Sequence, residues 1–179
     1  MPIQNFRGRT MTKLRNLISF MVVLIFSVAS ASASVISFQI IQHDKSQTEV
    51  RDSSYIIENT LFDYFFNKGF VTTNCPTATT EDSSDDMGIF SRSFFNAKVG
   101  YCNYFIVLTV DYDVRISKNT KGNFLSNIDS ISWQVYDTKT SKVIAEGSKE
   151  VGEVSAQRNN EKGIIGFATE IAADIYDEL

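Results

Sequence analysis

From Tyr101 onward the chain changes period, and that change limits the fold more than any other feature. Leu108, Val110, Tyr112, Val114 and Ile116 alternate with Thr109, Asp111, Asp113, Arg115 and Ser117. Side chains of a strand point to opposite faces in turn, so this spacing predicts one long strand with a buried and a wet face. After the polar segment "KNTKGN", Ile131, Trp133 and Val135 resume the alternation, and "DTKTSK" turns the chain into "VIAEGSKEV". Three successive strands joined by polar turns predict an antiparallel meander.

The residues before Tyr101 follow other spacings. "VISFQIIQ", Val35 to Gln42, is a β-branched apolar run suited to a buried strand. Ser46 and Glu49 have the spacing of a capping box, which predicts a helix start. Val50, Ile57, Leu61 and Phe65 then share one helical stripe, and Gly69 supplies a residue able to end the helix in the left-handed conformation. A second stripe, Tyr55, Phe62 and Phe66, runs beside it. The spacing favours another element covering this stripe, with a face turned to a partner as the alternative.

"FVTT" predicts a short strand stopped by Pro76, and "TATTEDSSDD" a polar loop. Ile89, Phe90, Phe94 and Ala97 suit a helix ending at Gly100, with Asp85 and Asp86 at its positive end. Near the C-terminus, Ile164, Ala168, Ile171, Ile175 and Leu179 share a face, Asn159 or Asn160 is the expected cap, and Gly163, Gly166, Ala168 and Ala172 allow close packing on a sheet. The order β-α-β-α-β-β-β-α predicts a single α+β domain with a mixed sheet and helices packed on it.

Residues 1–33 carry Arg7, Arg9, Lys13 and Arg15, no acidic residue, and the apolar run Leu17 to Val28 followed by "ASASAS". This is the layout of a signal peptide with cleavage after Ala31 or Ala33, and Met11 is an alternative start. The expectation is therefore a periplasmic or secreted domain over residues 34–179, without a stable membrane anchor. Removing the leader's four basic residues from the 17 leaves 13 against 21 acidic ones, a formal charge of −8. That balance counts against nucleic acid and against anionic lipid as partners.

Few residues carry chemistry. His43 is the single histidine; with neither the ligand count of a zinc site nor a nucleophile motif, it reads as a solvent-facing or capping residue. Asp111 and Asp113, two apart on one predicted strand, share a face with Arg115, and paired carboxylates are the equipment of a glycosidase. A solvated ladder is the plainer reading. Glu81 to Asp86 invites calcium, yet Ser93 stands where the helix-loop-helix pattern needs a bidentate Glu. Cys75 and Cys102 are the only cysteines; an oxidising compartment permits a disulfide, and the sequence leaves the pairing open. Phe94, Phe95, Tyr101, Tyr104 and Phe105 suit a core before an interface. No cofactor and no metal is expected.

The stretches "YFIVLTVDYDV", "WQVYDTKTSKVIAEGSKEV" and "IAADIYDEL" together resemble a group of bacterial envelope domains: the amino-terminal domain of TolB, the LpoB-type activators of penicillin-binding proteins and the CsgG-type secretion lipoproteins. Asn103 to Val110 and Trp133 to Ala145 occupy the corresponding strand and hairpin, with Tyr136-Asp137 at the family's apolar-Asp pair. Two departures stand out: Ser141-Lys142 replaces the usual Thr-Gly or Ser-Gly, and the lipid-bearing cysteine of the LpoB and CsgG groups is missing. The resemblance implies a non-enzymatic domain that docks on another envelope protein. A hydrolase acting through Asp111 and Asp113, or a small-ligand carrier, is the alternative.

Overall fold

The computed structural model describes residues 33–113 and 122–179. The fold is α+β, built on a mixed open sheet. Its strands are β1 (Val35–His43), β2 (Val71–Asn74), β3 (Ala78–Thr80), β4 (Tyr104–Tyr112), β5 (Ile128–Asp137) and β6 (Lys142–Glu150). Three helices complete it: α1 (Asp52–Asn67), α2 (Asp86–Val99) and α3 (Glu161–Asp177). The sheet order is β2-β1-β4-β5-β6, with β3 also paired to β1; β2, β3 and β4 run parallel to β1, β5 is antiparallel to β4, and β6 is antiparallel to β5.

The connection β1-α1-β2 steps to one side of β1, and β3-α2-β4 crosses back to the other. Right-handed crossovers in opposite directions place their helices on opposite faces. Accordingly α1 and α3 cover one face, where Ile57, Leu61, Phe65, Ile164, Phe167, Ala168, Ile171 and Ile175 meet Ile36, Phe38, Ile40, Ile106, Leu108, Ile131, Trp133 and Val135. The second helix covers the other face over a smaller cluster of Ile41, Ala97, Cys102, Phe105 and Val107.

Several expectations change here. The strand β4 is buried on both faces over its first half, because α2 lies on Phe105 and Val107; the expected continuation to Val114 and Ile116 falls outside the described residues. Ala78–Thr80, expected as loop, forms β3 along the same edge as β2, since Pro76 interrupts that edge without diverting it. The capping box does not form: α1 starts at Asp52, after Arg51, and Ser46 bonds to Asp44 instead. Val50 therefore precedes the helix. Gly69 does end α1 in the left-handed region at φ 89°, with Phe70 N–H bonded to Phe65 C=O and Gly69 N–H to Phe66 C=O. Asn160 caps α3, its side chain accepting from Gly163 N–H at 3.2 Å. Gly163 gives room to the preceding turn, where a Cβ would lie 1.8 Å from Arg158 C=O, whereas Gly166 faces open space.

Trp133 lies in the main core at 8% exposure, and Gly147 on β6 gives it room: a Cβ there would sit 2.4 Å from the indole. Trp133→Ala is expected to destabilise the domain by about 3–5 kcal/mol, read as a fall in denaturant midpoint at unchanged m-value.

Candidate functional site

The strands β1, β3 and β4 end together, and their carboxyl ends form the floor of an open cleft. In open α/β sheets this is where a change of connection direction leaves a crevice. The cleft has a volume of about 510 Å³ and is lined by His43, Asp44, Lys45, Ser46, Glu81, Asp82, Asp111, Tyr112, Asp113 and Asp129. Sequence reasoning brought Asp111 and Asp113 together, and both are here. A β-bulge between Asp111 and Tyr112 disturbs the strand at that point.

His43 is not solvent-facing. Its Nδ1 is 2.7 Å from Asp111 Oδ1 on β4 and its Nε2 is 2.9 Å from Asp86 Oδ2 at the start of α2, with a side-chain exposure of 12%. Asp111 also accepts from Ser130 Oγ at 3.1 Å, and Asp86 from Thr80 Oγ1 at 3.0 Å. A ring whose two nitrogens both face carboxylates is satisfied only as imidazolium, donating twice. The hydrogen bond to Asp111 raises the His43 pKa, and the same bond holds the Asp111 carboxyl below the usual carboxylate range. Neither ring nitrogen is free to accept a proton, and Asp111 has none to give near neutral pH. The bridge is a clamp between two strand ends and a helix start.

A second polar cluster, missed in the sequence, holds α1 beneath the same cleft. Gln42 is fully buried; its side-chain oxygen accepts from Arg51 N–H and Ser54 Oγ, both at 2.8 Å. Arg51 Nε donates to Asp44 Oδ2 at 2.6 Å, and the guanidinium lies 4.9 Å from the Tyr112 ring centroid. The Tyr112 hydroxyl meets those of Ser53 and Ser54. The sequence signal was there: a Gln in an apolar strand, seven residues after its start and nine before an Arg.

The remaining candidate residues stand apart from the cleft. Cys75 and Cys102 are buried free thiols, one following β2 and the other preceding β4. Burial pushes the Cys102 thiol up, which keeps it protonated and poorly nucleophilic. Phe90, Phe94, Phe105 and Tyr136 form an aromatic cluster under α2, with Phe90 and Phe94 stacked at 5.6 Å. Among the described residues no three carboxylate, imidazole or thiolate groups are placed to hold a metal ion.

The stripe Tyr55, Phe62 and Phe66 lacks the covering element that its spacing favoured. The third helix packs on the other flank of α1, where Tyr64 meets Tyr176, and leaves Tyr55 at 45% and Phe66 at 64% exposure. Glu58 lies on the same strip of α1 as these rings and accepts from Asn74 Nδ2 at 3.0 Å. The stripe therefore overhangs β2, whose outer edge has no neighbouring strand beside Val71 among the described residues.

The His43 clamp gives a defined pH dependence. Because folding raises the imidazole's affinity for its proton, the clamp stabilises the fold fully below the ordinary histidine value of 6.5 and loses that contribution as the pH climbs through the raised folded value. The melting-temperature gap between wild type and His43→Gln is expected to be widest near about pH 5.5 and to narrow above neutrality. At its widest the gap should correspond to about 1–3 kcal/mol.

Among the described residues no helix is long and apolar enough to cross a membrane. Similar solved structures include PelC from Paraburkholderia phytofirmans, described as a dodecamer, at 12% identity and TM-score 0.44 over 83% of this chain and 90% of that one. TolB from Acinetobacter baumannii matches at 16% identity and TM-score 0.41 over 82% of this chain, which spans 28% of TolB. The C-terminal domain of LpoB from Salmonella enterica matches at 13% identity and TM-score 0.41 over 74% of this chain and 93% of that one. TolB and LpoB, which the sequence pattern resembles, thus both stand among the solved neighbours. No curated protein matches the chain. A family model described as "Uncharacterised protein" matches residues 35–179, and the chain belongs to that family.

Proposed function

We propose that this chain is an exported, non-enzymatic domain of the bacterial cell envelope that docks on another envelope protein through the flank of α1 and the adjoining β2 edge. The observation that carries the reading is the stripe of exposed Tyr55 and Phe66 with half-buried Phe62 between them, beside an edge strand. Aromatic side chains bring large contact area at low entropic cost, and an open edge offers backbone hydrogen bonds to an added strand. The basic, then apolar, then small-residue leader supports export, and the hairpin pattern shared with TolB and LpoB supports the envelope. The engaged state of His43 and Asp111 weighs against acid–base catalysis in the cleft.

A photo-reactive amino acid at Phe66 in living cells is expected to capture another exported protein, while one at Glu153 does not. Tyr55→Ser with Phe66→Ser should abolish the adduct and leave the melting temperature nearly unchanged, because both side chains are already exposed. Lack of any adduct at Phe66 overturns the docking surface. Asp111→Asn combined with Asp113→Asn should leave the cellular role intact; loss of that role in a folded variant would instead support the hydrolase reading.

A further inference from the structure

A polar row crosses the sheet at the floor of the cleft. The pairing registers set Thr80 of β3, His43 of β1, Asp111 of β4 and Ser130 of β5 side by side, so their side chains share one face of the sheet, the face that α2 covers. Asp86, the first residue of α2, joins the row from that helix: one carboxylate oxygen accepts from Thr80 Oγ1 and the other meets His43 Nε2. On the other side of the ring Nδ1 meets Asp111, which accepts from Ser130 Oγ. Both ends of the row are hydroxyl donors and both inner members are carboxylates. The ring between them completes the row only while both of its nitrogens carry protons.

Loss of one ring proton sets a nitrogen lone pair against a carboxylate oxygen, at the present 2.7 Å on one side or 2.9 Å on the other. Asp111 has no room to withdraw, because β4 is paired on both sides, to β1 and to β5. Asp86 does. The strand β3 is held to β1 over three residues, and Gly88 weakens the first turn of α2, with nothing within 4 Å of where its Cβ would lie. Further along, α2 is fixed by Phe90 and Phe94 in the aromatic cluster and by Ser93 Oγ on buried Gln39. The segment able to yield therefore runs from Ala78 to Gly88. Among the described residues the other charges at the cleft are Asp44, bonded to Arg51, with Lys45, Glu81, Asp82, Asp113 and Asp129. Burial pushes the Tyr112 hydroxyl up and keeps it protonated. His43 is the single imidazole of the chain, and imidazole is the side chain whose charge ordinarily changes between about pH 5 and 8.

We propose that this row is a proton-operated latch on the cleft. With the imidazolium in place, β3, the 81–85 segment and the first turn of α2 are held against β1 and β4. When one ring proton passes to water, Asp86 withdraws with that segment, and the wall carrying Glu81 and Asp82 swings away from Asp111. The carboxylates favour the same outcome: once His43 is neutral, Glu81, Asp82, Asp86 and Asp111 lose the cation lying among them, and their repulsion drives the wall outward. The bond to Asp111 raises the imidazole pKa, so the latch is closed below the ordinary 6.5 and opens as the pH climbs through the raised value. A lost clamp energy alone would be felt by the whole fold, whereas the placement of the row confines the movement to one wall. The latch works on the α2 face and is independent of docking at the flank of α1 on the other.

The test is a distance measurement between spin labels on the purified protein carrying Ser83→Cys and Glu150→Cys. Ser83 lies on the segment that moves, and Glu150 pairs with Ser130 at the fixed end of the row; Cys75 and Cys102 are buried, which spares them from the label. Raising the pH from about 5.5 to about 8.5 should increase the population at longer separation about ten-fold, and returning to the lower pH should reverse it. Asp86→Asn separates the latch from mere packing. Its amide donates to a neutral imidazole and its oxygen accepts from a protonated one, so the row stays complete and the longer population should stay low at both pH values. His43→Gln cannot reach both carboxylates with donors and should show the longer population at both. A wild-type distance distribution that is the same at both pH values overturns the inference, as does an unaltered pH response in Asp86→Asn. A longer population that arises only with loss of the folded-state fluorescence of Trp133 is general unfolding and overturns it too.

Discussion

The strand β1 sets everything else in this domain. It is flanked by parallel strands on both sides, and a parallel neighbour requires a crossover that returns the chain to the starting end of the sheet. One crossover leaves β1 on each side, so right-handedness puts α1 and α2 on opposite faces and buries β1 from above and below. Its sequence carries that demand: Ile36, Phe38 and Ile40 meet the α1–α3 face, while Ser37, Gln39 and Ile41 lie beneath α2. The polar members of the second set survive burial because they are bonded. Gln39 accepts from Ser93 Oγ at 2.5 Å and donates to Ile40 and Pro76 carbonyls. An unpaired amide at that depth would cost more than its packing returns.

The same geometry makes the molecule electrically polar. Both crossovers start their helices at the carboxyl ends of the strands, and α3 starts there too. Positive helix ends favour the acidic residues found beside them, Asp52, Asp86 and Glu161, and Lys68 and Lys98 follow the negative ends of α1 and α2. An acidic cleft at one end is thus a consequence of the topology, while at the other Lys68 and Lys98 share their end with Asp177 and Glu178 at the end of α3, which run against the dipole trend. A net charge read from composition averages over that separation.

What the sequence disclosed follows the range of the interactions concerned. Helix faces, the meander, the Asn160 cap and the Gly69 terminus depend on neighbours within a few residues, and spacing reveals them. The His43 clamp depends on residues 43 and 68 positions away, joined only when β1, β4 and the start of α2 are assembled. No local pattern announces it. The capping-box reading failed for a related reason: Ser46 and Glu49 have suitable spacing, but a buried Gln42 side chain reaches Arg51 N–H from the strand and moves the helix start to Asp52. Tertiary hydrogen bonds outrank a local cap worth about 1 kcal/mol.

The two exposed aromatic features also differ in kind. Tyr55 and Phe66 stay exposed and Phe62 half-buried because α3 is drawn to the far flank of α1 by the Ile164–Ile175 face and by Tyr64 against Tyr176. A sheet of this width takes two helices on that face, and the β2 side is left without a cover. Tyr101 is exposed for a different reason, since its backbone conformation and not a shortage of neighbours carries the ring outward. Packing left the first surface open, whereas the second is held open against a local conformational preference.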